Sequence, residues 1–244
     1  MVEPASAGKA DGRVRSSASL CGKVAVVRRG LMMSPPGGWS GHTGASLVDK
    51  TQLLSWERQA KTAVERENWP LAAERLGRLL EAAPDTWAFW RLYGQVLREL
   101  GRVSDAEAAL VSAVKRCPDE ALEESRELLL ELADLRLADG RPEDAARALR
   151  RVLQREPHQW EALYLMGNAF MDVGAHAEAV SAYRQSLATQ PFERELWWNF
   201  ALALEKVGDR DGAATAYEAY LKQAVELDEA ERGEVEDLIS RLRS

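Results

Sequence analysis

Three histidines, two cysteines and one glycine-rich stretch are where this 244-residue chain could do metal or covalent chemistry. Their spacing argues against both. His42, His158 and His176 are far apart, and Cys21 and Cys117 form no Cys-x-x-Cys. Neither a metal set nor a disulfide framework is expected, and this fits a reducing compartment. The stretch Gly37-Gly38-Trp39-Ser40-Gly41-His42 lacks the Gly-Lys-Ser/Thr ending of a phosphate loop, and His42 stands where a nucleophile elbow needs glycine. The many Asp and Glu read as solvated helix faces with i,i+4 partners such as Glu143 and Arg147. No catalytic residue, metal or cofactor is expected, so the chain is read as no enzyme. What remains is recognition chemistry. Asn168 and Asn199 each offer a donor and an acceptor, and Tyr164 and Trp198 are aromatics of the kind that anchor binding hot spots.

The elements that would position those residues announce themselves by repetition. Ala72, Ala106, Ala145, Ala179 and Ala213 are separated by 34, 39, 34 and 34 residues. Gly101, Gly140, Gly174 and Gly208 step by 39, 34 and 34, and Pro84, Pro118, Pro157 and Pro191 by 34, 39 and 34. Trp56 and Trp90 are 34 apart. Three residue types agree on one period and on one five-residue insertion, at Ala121–Ser125. Its acids, Glu120, Glu123 and Glu124, place it in water.

Within a period the pattern predicts a helical hairpin. Trp90, Tyr93, Gly94 and Leu97 share one helical face. Gly101 ends that helix in a left-handed cap, and Ser104 or Asp105 is placed to cap the next. Ala106, Leu110, Ala113 and Val114 form the second face, which Pro118 closes. Gly94 and Ala106 are expected where the two helices come closest, because a larger side chain there would force them apart. In the first hairpin Ala60 and Ala72 take these places, and Asn68-Trp69-Pro70 makes the turn.

These residues resemble the tetratricopeptide repeat family. The resemblance rests on Trp90-x-x-Tyr93-Gly94-x-x-Leu97 with Ala106, Leu110 and Pro118. Leu163-x-x-Met166-Gly167-x-x-Phe170 with Ala179, Tyr183 and Pro191 repeats it, as does Trp197-x-x-Phe200-Ala201-x-x-Leu204 with Ala213 and Tyr217. Arg136 departs from the pattern where an aromatic is usual, and Val225 where the last proline would stand. The resemblance implies an all-α, right-handed α-solenoid of about five helix–turn–helix repeats over 53–86, 87–120, 126–159, 160–193 and 194–227. Residues 228–244 read as a capping helix, with Val235, Leu238, Ile239 and Leu242 on one stripe and an acidic outer face. Residues 1–50 read as a disordered Gly/Ser/Pro-rich tail. Met32 and Met33 offer alternative starts, which would leave the residues before them as an artefact of gene calling.

The resemblance also implies a binding face, a concave groove lined by the first helices of successive hairpins. By repeat register the candidates are Arg91, Gln95 and Asp134 toward the N-terminus, and Tyr164, Asn168, Met171, Trp198, Asn199 and Leu202 toward the C-terminus. Asn168 and Asn199 stand where peptide-binding members carry asparagines that grip a ligand backbone. Trp197, Trp56, Trp90, Phe170, Tyr183 and Tyr217 are expected in the core, and Trp198 open on the groove beside Tyr164. The basic residues of a clamp for chaperone C-termini are missing around Tyr164, Trp198 and Glu229. Arg91 and Arg98 are expected to make the start of the groove basic, and Glu127, Glu131 and Asp134 to make its middle acidic.

Charge bounds the partner. The chain carries −7 overall, with +4 in residues 1–50 and −11 in the rest. An acidic body opposes nucleic-acid binding, and no apolar run is long enough to span a membrane. The expected role is a cytoplasmic scaffold or adaptor that holds another protein or peptide. The alternative is a self-assembling scaffold whose groove receives a second copy, and a nucleic-acid-reading repeat is more remote. The composition suits a GC-rich bacterial gene.

Overall fold

The computed structural model describes residues 49–223 and 227–244. The tail assigned to residues 1–50 lies almost wholly outside them, as does Val225. The described residues form eleven α-helices and no strand. In chain order they are α1 (Lys50–Glu65), α2 (Trp69–Ala82), α3 (Trp87–Glu99), α4 (Val103–Arg116), α5 (Leu122–Ala138), α6 (Pro142–Arg155), α7 (Trp160–Asp172), α8 (His176–Thr189), α9 (Arg194–Val207), α10 (Arg210–Gln223) and α11 (Glu229–Arg243). They fall into two compact units that divide between Asp139 and Gly140. The N-terminal unit holds α1–α5 and the C-terminal unit α6–α11.

In the N-terminal unit α1 packs on α2, α2 on α3, α3 on α4 and α4 on α5. One apolar cluster joins α1, α2 and α3 through Ala60, Ala72, Leu76, Leu79 and Val96. A second joins α3, α4 and α5 through Leu97, Ala106, Leu110, Ala113, Leu128 and Leu132. The closest approach lies where the small residues are. A Cβ built on Gly94 would stand 2.9 Å from Leu110 Cγ and 3.2 Å from the Ala106 carbonyl oxygen, and Ala106 is fully buried.

The turn inside each hairpin is built by backbone bonds. At Gly101, with φ +72°, the Gly101 N–H donates to the Arg98 carbonyl and the Arg102 N–H to the Leu97 carbonyl, each at 2.9 Å. This paired closure satisfies the last carbonyls of α3. The same pair recurs at Gly174 and Gly208. Because the chain turns so tightly, α4 starts at Val103 with Arg102 as its N-cap and no side-chain cap. The capping role expected of Ser104 or Asp105 is therefore corrected: both already lie inside the first turn. In the first hairpin Glu67 occupies the left-handed region instead, at φ +54°. Asn68 there accepts the Leu71 N–H at 3.3 Å and caps α2.

In the C-terminal unit α6 packs on α7, and α7 through α11 pack each on the next. At Gly167 a Cβ would stand 2.3 Å from the Tyr183 ring, so α8 crosses α7 there with no room for a side chain. On α11, Val235 and Ile239 are buried, and Leu238 and Leu242 half-buried. The Arg243 guanidinium reaches Glu218 of α10 at 2.7 Å.

Candidate functional site

The first helices of the N-terminal unit carry a run of ionic and amide groups. On α3, Arg91, Gln95 and Arg98 lie one turn apart. On α5, Glu127, Glu131 and Asp134 do the same. The two rows pair. Arg91 Nε donates to Glu131 Oε1 at 2.8 Å and its Nη1 to Glu127 Oε2 at 2.7 Å. Gln95 Nε2 donates to the same Glu131 oxygen at 3.0 Å. Arg98 Nη1 reaches Asp134 Oδ2 at 3.4 Å. The basic start and acidic middle expected along the groove are thus corrected. They are two sides of one ladder and neutralise each other.

Burial grades this ladder. The Arg91 side chain is 18% exposed and that of Glu131 6%, while Glu127 and Arg98 reach solvent. Burial works against the Arg91 charge, but Glu131 and Glu127 outweigh it and raise its pKa above the ordinary value. Every donor at Glu131 converges on Oε1. The other carboxylate oxygen, Oε2, is buried without a hydrogen-bond partner among the described residues. An unsatisfied buried carboxylate oxygen is costly.

The C-terminal unit answers the same positions with neutral groups. Asn168 Oδ1 accepts the Tyr183 hydroxyl at 2.7 Å and Asn199 Nδ2 at 3.2 Å. Asn199 Nδ2 also donates to the Tyr164 hydroxyl at 3.0 Å. This net ties α7 to α8 and to α9. Burial, with Tyr164 and Asp172 nearby, pushes the Tyr183 phenol well above its ordinary pKa.

The nine residues expected on the binding face therefore separate. Arg91, Gln95 and Asp134 come together on the half-exposed ladder with α5. Met171 is half-buried near the end of α7. Tyr164, Asn168, Trp198, Asn199 and Leu202 are buried, with Tyr164 at 1%, Trp198 at 3% and Asn199 at 0% exposure. The expected open aromatic wall is corrected. Trp198 lies edge-on to Tyr217 and Tyr220 of α10, with ring centroids 5.1 and 5.2 Å away. Its neighbour Trp197, expected in the core, is half-buried and donates its indole N–H to the Pro191 carbonyl at 2.8 Å. Trp90 makes the same bond to Pro84 at 2.6 Å.

Two signals could have revealed this. Tyr220 stands one turn after Tyr217, where the preceding hairpin has Ser186, so α10 has a second ring for Trp198 to meet. Opposite charges recur about one 39-residue step apart, as Arg91 with Glu131 and Arg98 with Asp134 show. Among the described residues no group of three or more His, Cys, Asp or Glu could hold a metal ion.

The geometry has relatives. The tetratricopeptide repeat model matches residues 57–121 and 130–194, just over half of the chain. A mouse (Mus musculus) protein named FK506-binding protein-like is 31% identical over 140 residues, covering 57% of this chain and 35% of that protein. The chain thus spans about a third of that relative's length. A crystal structure of MamA superposes with a TM-score of 0.62 at 20% identity, covering 72% of this chain and 96% of that one. MamA from Desulfovibrio magneticus RS-1, residue 41 to the end, gives 0.65 at 15% identity, covering 72% and 97%. At these identities the structures speak for the fold alone, an all-α α-solenoid. With its family model matched over more than half its length, the chain belongs to the tetratricopeptide repeat family.

Proposed function

We propose that this chain is an adaptor that binds an extended peptide or protein segment on the first-helix face of its N-terminal unit. The fold makes it a protein-interaction scaffold in the broad sense. The narrower reading rests on one observation: Glu131 Oε2 is buried without a partner at the centre of a half-exposed polar ladder. A small outward turn of the Glu131 carboxylate would bring that oxygen to a backbone N–H, or a Lys or Arg side chain, of a bound segment. Arg91, Gln95 and Asp134 would flank the segment. Met171 is the one C-terminal candidate left with partial access, while Tyr164, Asn168, Trp198, Asn199 and Leu202 form the layer beneath. The repeats divide, in this reading, at 53–86, 87–120, 126–159, 160–193 and 194–227. No helix among the described residues is long and apolar enough to cross a membrane, in keeping with a cytoplasmic scaffold.

Selection of a random peptide library on the full chain tests the reading. Peptides that bind are expected to lose about tenfold or more in affinity to the variant Glu131→Gln, since a charged hydrogen bond is worth roughly 1.5–3 kcal/mol. Peptides that bind both proteins equally, or no enrichment at all, would remove this site.

A further inference from the structure

The outer face of α6 is unlike that of any other helix in this acidic protein. Arg147, Arg150, Arg151 and Arg155 are all exposed and fall within an arc of about 140° at 100° per residue. Elsewhere an exposed base stands singly or meets an acid on its own helix, as Lys61 meets Glu57 and Arg78 meets Glu74. On α6 the acids stop after Glu143 and Asp144. Arg147 reaches back to Asp144, while Arg150, Arg151 and Arg155 have no ion-pair partner among the described residues.

The complementary pattern is on α11. Its buried side carries Val235 and Ile239. Its outer side exposes Glu229, Glu231, Glu234, Glu236 and Asp237, followed by Arg241, while Arg243 is turned onto Glu218 of α10. Both helices thus run from acid to base along the chain. Laid antiparallel, the arginines of α6 meet the acids of α11, and Glu143 meets Arg241. The spacing agrees: the acidic and basic centres lie about 11 Å apart on both α6 and α11, at 1.5 Å per residue. Antiparallel helix dipoles favour the same orientation.

We infer that the outer face of α6 is a docking surface for α11 of a second copy of this chain. The two faces are different patches, so the contact is head-to-tail and can extend from copy to copy. It is separate from the peptide face of the N-terminal unit and stands whether or not that reading holds. A single helix pair buries less than the roughly 1,600 Å² of a standard interface, so the association is of the weak class. Charge attraction carries it, and salt screens it.

Sedimentation of the full chain at about 20 mM and about 500 mM salt reads the association, the Debye length shrinking between them from about 20 Å to about 4 Å. At low salt the weight-average mass is expected to exceed the 27.1 kDa monomer and to return to it at high salt. Reversing either side, as Arg150→Glu/Arg151→Glu/Arg155→Glu or as Glu234→Arg/Glu236→Arg/Asp237→Arg, should weaken association about tenfold or more. Combining the two sets should restore it. A wild-type monomer at low salt overturns the inference, and so does association that ignores both reversals or fails to return in the combined variant. A wild-type chain that stays monomeric yet binds poly-glutamate or anionic vesicles through the three arginines gives the α6 face to another occupant and overturns it as well.

Discussion

The two units use the same positions of the repeat and join successive first helices by different chemistry. In the N-terminal unit the link between α3 and α5 is ionic, with Arg91 held by Glu127 and Glu131. In the C-terminal unit the link between α7 and α9 is neutral, with Asn199 bonded to Asn168 and Tyr164. The ionic link runs from buried Glu131 through Arg91 to the more exposed Glu127, and it leaves one carboxylate oxygen without a hydrogen-bond partner among the described residues. The neutral link is buried. A neutral amide net tolerates burial because it has no charge to desolvate. An ionic ladder kept near solvent pays less desolvation than one sealed in the core. Of the two faces, the N-terminal one is therefore the one whose polar groups reach solvent.

Removing one member of each link should weaken one unit and spare the other. Arg91→Ala leaves Glu131 charged, buried and without its cation. It is expected to destabilise the N-terminal unit by about 3 kcal/mol, the scale for breaking a buried pair. Asn199→Leu leaves Asn168 and the Tyr164 hydroxyl short of a donor and should cost the C-terminal unit about 2 kcal/mol. Amide hydrogen exchange on the full chain assigns each loss to its helices. Equal losses in both units for either variant would mean the links are not local.

Alkali should sharpen the contrast. The Tyr183 pKa is raised in the folded state, so above about pH 10 the unfolded chain gives up a proton that the folded chain keeps. Stability then falls with rising pH, by about 1.4 kcal/mol per unit for this one group until its folded pKa is reached. Exchange in α7 and α8 should accelerate first. Replacing Tyr183 with Phe should flatten that slope while costing stability at neutral pH, and a slope unchanged in this variant would assign the effect elsewhere.

The smallest expected effect lies at the turns. Glu67 holds the left-handed conformation that glycine holds at 101, 140, 174 and 208. Glu67→Gly is expected to stabilise the first hairpin by about 1 kcal/mol, because a side chain is penalised there. A thermal melt that moves down instead would show that the Glu67 side chain contributes something the backbone does not reveal.

How much of this was legible follows from what each signal depends on. Gly101, Gly94, Ala106 and Pro118 repeat because backbone turns and close helix contacts admit few residue types, so the hairpins could be read directly. The choice between Trp197 and Trp198 turned on 100° of helix rotation and on a ring from another helix. Nothing local to α9 announces Tyr220. Asn168 and Asn199 have the right chemistry for gripping a peptide, but the same chemistry satisfies Tyr164 and Tyr183 inside the unit. The ladder of Arg91 and Glu131 joins residues 40 apart, and its trace in the sequence is the recurrence of opposite charges about one repeat step on.

The N-terminal first-helix face, and not its C-terminal counterpart, is the one we propose receives the partner. Hydrogen exchange of the full chain with and without a library-selected peptide tests it most directly. New protection is expected to concentrate in α3 and α5 and to be lost in Glu131→Gln. Protection confined to α7 and α9, or unchanged by that substitution, would contradict it.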